Sequence, residues 1–192
     1  KVLEIAPRYA RFIKKKQLEL NNCEYYSLNA SKRELKRGNT QIPGDCPITK
    51  PSDLSAYTSQ LDELFEANYF DVIISNHALE HSLDPLFELK SLFPLLKKGG
   101  KIHFVVPCDN ISYKWKSNDI NFHLFSWSPM NLGNLFVAAG FKVIETKPYI
   151  HKWPPFYKKV QKIFGWKIFN LLCSLWGRLE RSSYQVEIVA TK

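Results

Sequence analysis

The stretch from Tyr69 to Pro107, YFDVIISNHALEHSLDPLFELKSLFPLLKKGGKIHFVVP, constrains the fold more than any other part of the chain. It opens on a short apolar run, Val72 to Ile74, that ends in Ser75, Asn76 and His77. A buried parallel strand delivers the chain to a polar site in this way. After a Ser-Leu-Asp-Pro start signal, apolar residues recur at Leu86, Leu89, Leu92, Phe93 and Leu96, so one face of a helix is expected to be buried. Lys97, Lys98, Gly99 and Gly100 are expected to stop that helix. The cations suit the negative end of its dipole, and the glycines permit a left-handed cap. A second apolar strand is expected from Lys101 to Val106. The whole is a strand, crossover helix, strand unit.

FDVIISNHALEH followed by LLKKGGKIHFVVP resembles the fourth-to-fifth strand region of class I S-adenosylmethionine-dependent methyltransferases. Further on, HLFSWSPMNLGNLFVAAGFKV resembles a segment of a methyltransferase-like subgroup associated with bacterial surface polysaccharide gene clusters. The resemblance implies an α/β fold: a Rossmann-like, mostly parallel sheet with helices on both faces and an antiparallel last strand. It also implies S-adenosylmethionine as cofactor and methyl transfer to an oxygen or nitrogen of a small molecule, glycan or lipid-linked glycan.

Carried over position by position, the resemblance places Glu4 as the family's acidic residue of the first strand and Asn76 and His77 beside the cofactor. The first loop, normally glycine-rich, is here Ala6, Pro7, Arg8, Tyr9 and Ala10. Glycine permits positive backbone dihedrals and close approach, whereas Pro7 fixes its own φ and removes an amide donor. Asn29 stands where the family has an acidic acceptor for the ribose hydroxyls, and an amide still accepts from a hydroxyl. The cofactor-binding set is therefore Glu4, Ala6, Pro7, Arg8, Asn29, Asn76 and His77. The departures from the family pattern keep a second reading open, a methyltransferase-like protein without cofactor that serves as a binding or scaffolding partner.

Methyl transfer is an in-line displacement that needs positioning and, for a hydroxyl acceptor, a base. No metal site is expected. His77 and His123 are the base candidates, because imidazole titrates near neutral pH. Glu80 and His81 read instead as local capping or loop-anchoring groups. His103 and His151 carry no signal beyond their element. A polar connection after Pro107 holds Asp109, Tyr113, Lys114, Trp115, Lys116, Asp119, Asn121 and His123 on the side where parallel sheets bind ligands, making it a candidate substrate loop.

The rest of the chain fits one domain over residues 1–192, large enough for a single core with 45% hydrophobic residues. Lys1 to Ile5 reads as a first strand entered without a leader, so residues are expected to precede it. Tyr9 to Leu20 is expected to form a basic helix, Glu24 to Leu28 a second strand, Lys32 to Arg37 a short charged helix and Gly38 to Pro51 a loop. Asp53 to Glu66 follows as a helix. Ser128-Pro129 starts a helix with a Leu132, Leu135, Phe136, Ala139 stripe, and Phe141 to Glu145 is a strand. A basic amphipathic helix is expected over about 155–180, with Val160, Phe164, Ile168, Leu171, Leu175 and Leu179 on one face. Tyr184 to Ala190 is expected at the sheet edge as an antiparallel partner.

Cys23, Cys46, Cys108 and Cys173 are too dispersed to clasp zinc as a close pair and read as reduced thiols. No apolar run approaches the roughly twenty residues of a spanning helix. The expected location is cytoplasmic, with peripheral membrane contact left open. The net charge of +9 points to acidic partners. The basic aromatic helix leaves two readings open, contact with an anionic membrane surface or docking of its stripe on the sheet as core, and nucleic acid ranks lower because no recognisable module is present.

Overall fold

The computed structural model describes residues 1–6, 23–29, 34–37, 40–41, 61–109, 114–117, 122–180 and 184–192. Pro7, Arg8, Cys46, Tyr113, Asp119, Asn121, the helix expected from Tyr9 to Leu20 and most of that from Asp53 to Glu66 lie outside the described residues.

The strands are Val2–Ile5 (β1), Tyr25–Asn29 (β2), Glu34–Arg37 (β3), Thr40–Gln41 (β4), Phe70–Asn76 (β5), Leu96–Cys108 (β6), Lys142–Tyr149 (β7) and Tyr184–Thr191 (β8). They form one sheet in the order β4-β3-β2-β1-β5-β6-β8-β7. Its centre is parallel, with β1 paired to β2 and β5, and β5 paired to β6. β8 runs antiparallel to both β6 and β7. Among the described residues the helices are Leu61–Leu64 (α1), Pro85–Leu95 (α2), Pro129–Ala138 (α3) and Tyr157–Glu180 (α4), with a 3-10 turn at Leu79–His81. This is the Rossmann-like α/β architecture expected.

Alternation along the strands decides which face is sealed. Leu3 and Ile5 of β1, Tyr26 and Leu28 of β2, Ile73 of β5, Ile102, Phe104 and Val106 of β6, and Val186, Ile188 and Ala190 of β8 share one core. Leu89, Leu92 and Leu95 of α2 and Leu132 and Phe136 of α3 cover it. Phe136 meets Phe104 and Phe141 with ring centroids 5.7 and 5.6 Å apart. Each large side chain so buried contributes about 1.5–3 kcal/mol of transfer free energy. Asp84 caps α2 by accepting from the Phe87 amide at 2.9 Å, and Ser128 caps α3 in a reciprocal box with Asn131.

Several elements differ from the sequence reading. Lys32 to Arg37 is not a helix: Glu34–Arg37 is β3, paired antiparallel to β2 with Tyr26 opposite Arg37. β4 lies within the stretch expected to be loop. Only Gly38 and Asn39 separate β3 from β4, the connection length of a tight hairpin, so backbone pairing on an open sheet edge overrides the charged pattern. α2 ends at Leu95, before the lysines and glycines meant to stop it, and Leu96 already has extended dihedrals (φ −77, ψ 134). The Pro94 and Leu95 carbonyls accept from the Asn68 and Tyr69 amides, both at 2.9 Å, so the helix end needs no glycine cap. Gly99 (φ +74) and Gly100 lie within β6 instead, where the pairing with β5 shifts register between Phe70 and Val72. A Cβ on Gly100 would stand 2.9 Å from the Lys97 carbonyl oxygen, so the close backbone approach requires glycine. β8 is not at the edge: it is inserted between β6 and β7, with Val186, Ile188 and Ala190 buried.

α4 docks on the segment that follows β7. Phe169, Cys173 and Gly177 are its buried face. The Lys152 amide donates to the Cys173 carbonyl at 3.1 Å, and a Cβ on Gly177 would come 3.0 Å from Ile150. Gly165 breaks the helix with φ +70. The expected apolar stripe is not the packing face, because Phe164, Ile168, Leu171, Leu175 and Leu179 are all exposed. Among the described residues no helix is long and apolar enough to cross a membrane.

Candidate functional site

β1 and β5 lie side by side with Ile5 opposite Ser75, and both chains leave the sheet at the same carboxyl edge. The next residues are strained in the same sense: Ala6 has φ +52 and His77 has φ +53. A side chain in the left-handed region costs about 1–2 kcal/mol relative to the right-handed one. Backbone bonds hold both in place, from the Ala6 amide to the Leu28 carbonyl at 2.8 Å and from the His77 amide to Val105 at 2.9 Å. Residues held this way cluster where a sheet binds ligands. Ala6 therefore takes the conformation that a glycine would supply, with only a methyl group added.

The sheet face opposite the core is polar and opens into a cleft of about 1060 Å³ bounded on its far side by α4. Glu4, Asn76, His77, His103 and Gln185 line it from the sheet, and Asn170 lines it from α4. Glu4 is buried and accepts a hydrogen bond from the Tyr25 hydroxyl. Burial raises its pKa against the lowering effect of that bond. Burial, and then the adjoining Glu4 carboxylate, raise Tyr25 in turn. His103 pairs with Glu187 at 2.7 Å across the strands. His151 stacks on Tyr149 and faces Asn170, and burial lowers its pKa. Asn29 ends β2, the strand beside β1.

A second group of side chains meets at the turn after β5. Glu80, in the 3-10 turn, is fully buried, and neither of its carboxylate oxygens has a hydrogen-bond donor among the described residues. Its Oε1 lies 3.4 Å from His77 Nδ1, 3.8 Å from His81 Nε2 and 3.9 Å from His123 Nε2. His77 and His81 come from the same turn, but His123 belongs to the loop after β6. The Glu80 carbonyl draws that loop in by accepting from the Leu124 and Phe125 amides at 2.9 and 3.3 Å. Asp109, from the same connection, lies 3.6 Å from His123 Nδ1. Glu88 of α2 is also fully buried, and desolvation pushes its carboxyl up to about 8, with the charge of Glu80 adding to the rise.

The two base candidates, His77 and His123, are thus brought onto one carboxylate. Glu80 and His81 do not cap α2, a role taken by Asp84. The sequence reading missed Glu80 as the hub. His77-x-x-Glu80-His81 did carry a signal, since spacings of three and four bring side chains together on a helical turn. Glu4, Asn76 and His77 line one cleft, and Ala6 lies at its strand edge. Trp115, from the proposed substrate loop, is almost fully exposed and outside the cluster.

A family described as methyltransferase domain matches residues 2–146. No functionally curated protein matches the chain significantly in sequence. Among solved structures, an S-adenosylmethionine-dependent methyltransferase from Archaeoglobus fulgidus superposes with a TM-score of 0.57 at 18% identity, over 100% of this chain and 85% of that one. The candidate methyltransferase in a complex with the Haloferax volcanii Trm112 methyltransferase activator gives 0.56 at 15% identity, over 99% and 81%. A [4+2]-cyclase, SpnF, shares the fold at 0.53 and 11% identity, over 100% and 74%. At these identities the likeness concerns the fold.

Proposed function

The chain belongs to the methyltransferase domain family, and on that premise we propose that it transfers a methyl group from S-adenosylmethionine to an oxygen or nitrogen of its acceptor. The observation that carries this reading is the pair of left-handed residues, Ala6 and His77, ending two adjacent parallel strands. The glycine-free loop would argue for a cofactor-free scaffold if its backbone avoided the conformation that glycine favours. Ala6 adopts it. A cleft of about 1060 Å³ is also ample for a nucleoside-sized ligand.

The cofactor supplies an activated methyl group on a sulfonium. Asn76 offers amide donors and acceptors at the end of β5, and Asn29 ends the neighbouring strand on the other side of β1. Glu4 lies beneath them as a fixed acceptor. His77, held between the Glu80 carboxylate and the Gln185 amide oxygen at 3.2 Å, lines the cleft and is the residue proposed to take a proton from an acceptor hydroxyl. His123 is the alternative base.

The acceptor we propose is a small molecule, glycan or lipid-linked glycan, of the kind used in surface polysaccharide synthesis, met on the cytoplasmic side of an anionic membrane. α4 supports this. Ile168, Leu171, Leu175 and Leu179 point away from its buried face, and Lys158, Lys159, Lys162, Lys167 and Arg178 outnumber the single acid, Glu180. Each cation near an anionic surface contributes about 1 kcal/mol. Co-sedimentation with vesicles should require anionic lipid and be lost in Leu171→Glu/Leu175→Glu. Equal recovery with zwitterionic vesicles, or none with either, removes the membrane arm alone.

Calorimetry with S-adenosylmethionine and S-adenosylhomocysteine tests the reaction class. Saturable binding that weakens in Asn76→Ala supports the enzyme. No heat and no thermal shift at millimolar ligand would establish the scaffold reading instead.

A further inference from the structure

The charge arrangement around Glu80 is hard to account for by the described protein groups alone. A fully buried carboxylate whose oxygens accept no hydrogen bond from the described residues carries a desolvation penalty, and it needs a partner that is either a charge or a set of donors. The groups around it are imidazoles, each presenting one nitrogen to Glu80 while the other nitrogen is held from behind. His81 turns Nε2 toward Glu80, and its Nδ1 lies 3.4 Å from the Phe122 carbonyl oxygen. His123 turns Nε2 the same way, and its Nδ1 lies 3.6 Å from the Asp109 carboxylate. His77 turns Nδ1 toward Glu80, and its Nε2 lies 3.2 Å from the Gln185 amide oxygen. An acceptor stands behind each ring, at hydrogen-bond distance for His77 and His81 and 3.6 Å away for His123, which is how metal-binding histidines are oriented.

We propose that Glu80, His81 and His123 bind a divalent transition-metal ion of the zinc class. One ligand atom from each lies within 4.8 Å of the other two. Donor atoms around a first-row ion at about 2.0–2.2 Å sit roughly 3–3.5 Å apart, so the His81 and His123 distances to Glu80 of 3.8 and 3.9 Å need only a slight contraction. Two imidazoles and one carboxylate suit zinc, cobalt or ferrous iron, and they exclude magnesium and calcium as preferred ligands because those ions take oxygen donors. Three protein ligands leave coordination positions open. His77 stands 3.4 Å from the same carboxylate oxygen and also lines the cleft, so the ion would sit at the cleft's margin with His77 as its neighbour on that side. The same ion would neutralise Glu80. The inference holds whether or not the protein transfers methyl groups.

The test uses the full chain, stripped with chelator and titrated with Co²⁺ and Zn²⁺ separately. The expected result is one equivalent of Co²⁺ giving visible d–d absorption that Zn²⁺ displaces and excess Mg²⁺ does not, with a thermal shift at saturation. Glu80→Gln and His123→Ala should abolish the absorption. Asp109→Asn, which alters only the group behind His123, should weaken Zn²⁺ binding by about 10–100-fold while leaving the circular dichroism spectrum unchanged. His81→Ala, at a partly exposed side chain, serves if the Glu80 variant fails to fold. No cobalt absorption in the intact protein, or unaltered affinity in both His81→Ala and His123→Ala, overturns the proposal.

Discussion

Glu88 offers a test of the buried face of α2 that depends on a single proton. Its carboxyl is fully buried and has a pKa raised from 4.5 to about 8, chiefly by desolvation and additionally by Glu80. Below pH 4.5 the folded and unfolded chains both hold the proton, and the group has no effect on the pH dependence of stability. Above that value the unfolded chain releases the proton while the native state keeps it, so the folded state loses stability as pH rises. The slope approaches about 1.4 kcal/mol per pH unit. The loss levels off once the native carboxyl ionises near pH 8, by which point it is on the order of 5 kcal/mol, a large part of the stability of an ordinary domain. Glu88→Gln keeps the shape of the protonated acid and cannot ionise. Urea midpoints for both proteins at half-unit steps from pH 5 to about 8.5 should nearly coincide at the acid end and diverge steadily, the variant becoming the more stable. Every other titratable group is common to both proteins, so the difference curve isolates Glu88. Parallel curves, or a variant that loses ground as pH rises, would refute the argument that this carboxyl is held neutral.

Other substitutions test separate parts of the architecture. Ala6→Gly should gain about 0.5–1 kcal/mol in urea unfolding, because the φ of +52 costs an alanine more than the glycine's extra freedom costs the unfolded chain. Asp84→Ala removes the acceptor for the Phe87 amide and should cost about 1 kcal/mol by the same measurement. Leu89→Ala, at a fully buried position of α2, should cost about 2–5 kcal/mol in thermal or chemical denaturation. Gly177→Val places side-chain atoms where even a Cβ meets Ile150 at 3.0 Å, and should cost about 1–3 kcal/mol with a change in near-ultraviolet circular dichroism as α4 lifts.

Where sequence and structure agree, the reason is local periodicity. β5, α2 and β6 are written in the chain as an apolar run, a three-and-four spacing and a second apolar run, and no distant partner is needed to recognise them. β3 was illegible for the opposite reason: Glu-Leu-Lys-Arg favours no strand, and only the free edge of β2 makes it one. The alternation of β8 was readable, but not that both its edges would be paired, which depends on β6 and β7. The apolar residues expected to share one face of α4 are exposed from Phe164 to Leu179. Burial instead went to Phe169, Cys173 and Gly177, because a glycine allows the close approach to the backbone at His151 and Lys152 that the larger leucines would block. At the site, the missing glycine kept a cofactor-free reading open, and Ala6 takes the left-handed conformation regardless. Glu80 could be placed beside His77 and His81 from spacing alone, whereas His123 arrives only through the backbone bonds of Leu124 and Phe125 to the turn.

The insertion of β8 between two strands made earlier bears on the order in which the protein is synthesised. A ribosome releases β6 and then β7 well before residue 184 emerges, and throughout that interval each keeps a row of bare amides and carbonyls that only β8 will satisfy. Such open ladders attract any extended segment at hand. A nascent chain stalled between residues 149 and 184 would be sticky on two borders at once, and the sheet can be completed only once residues 184–191 have emerged.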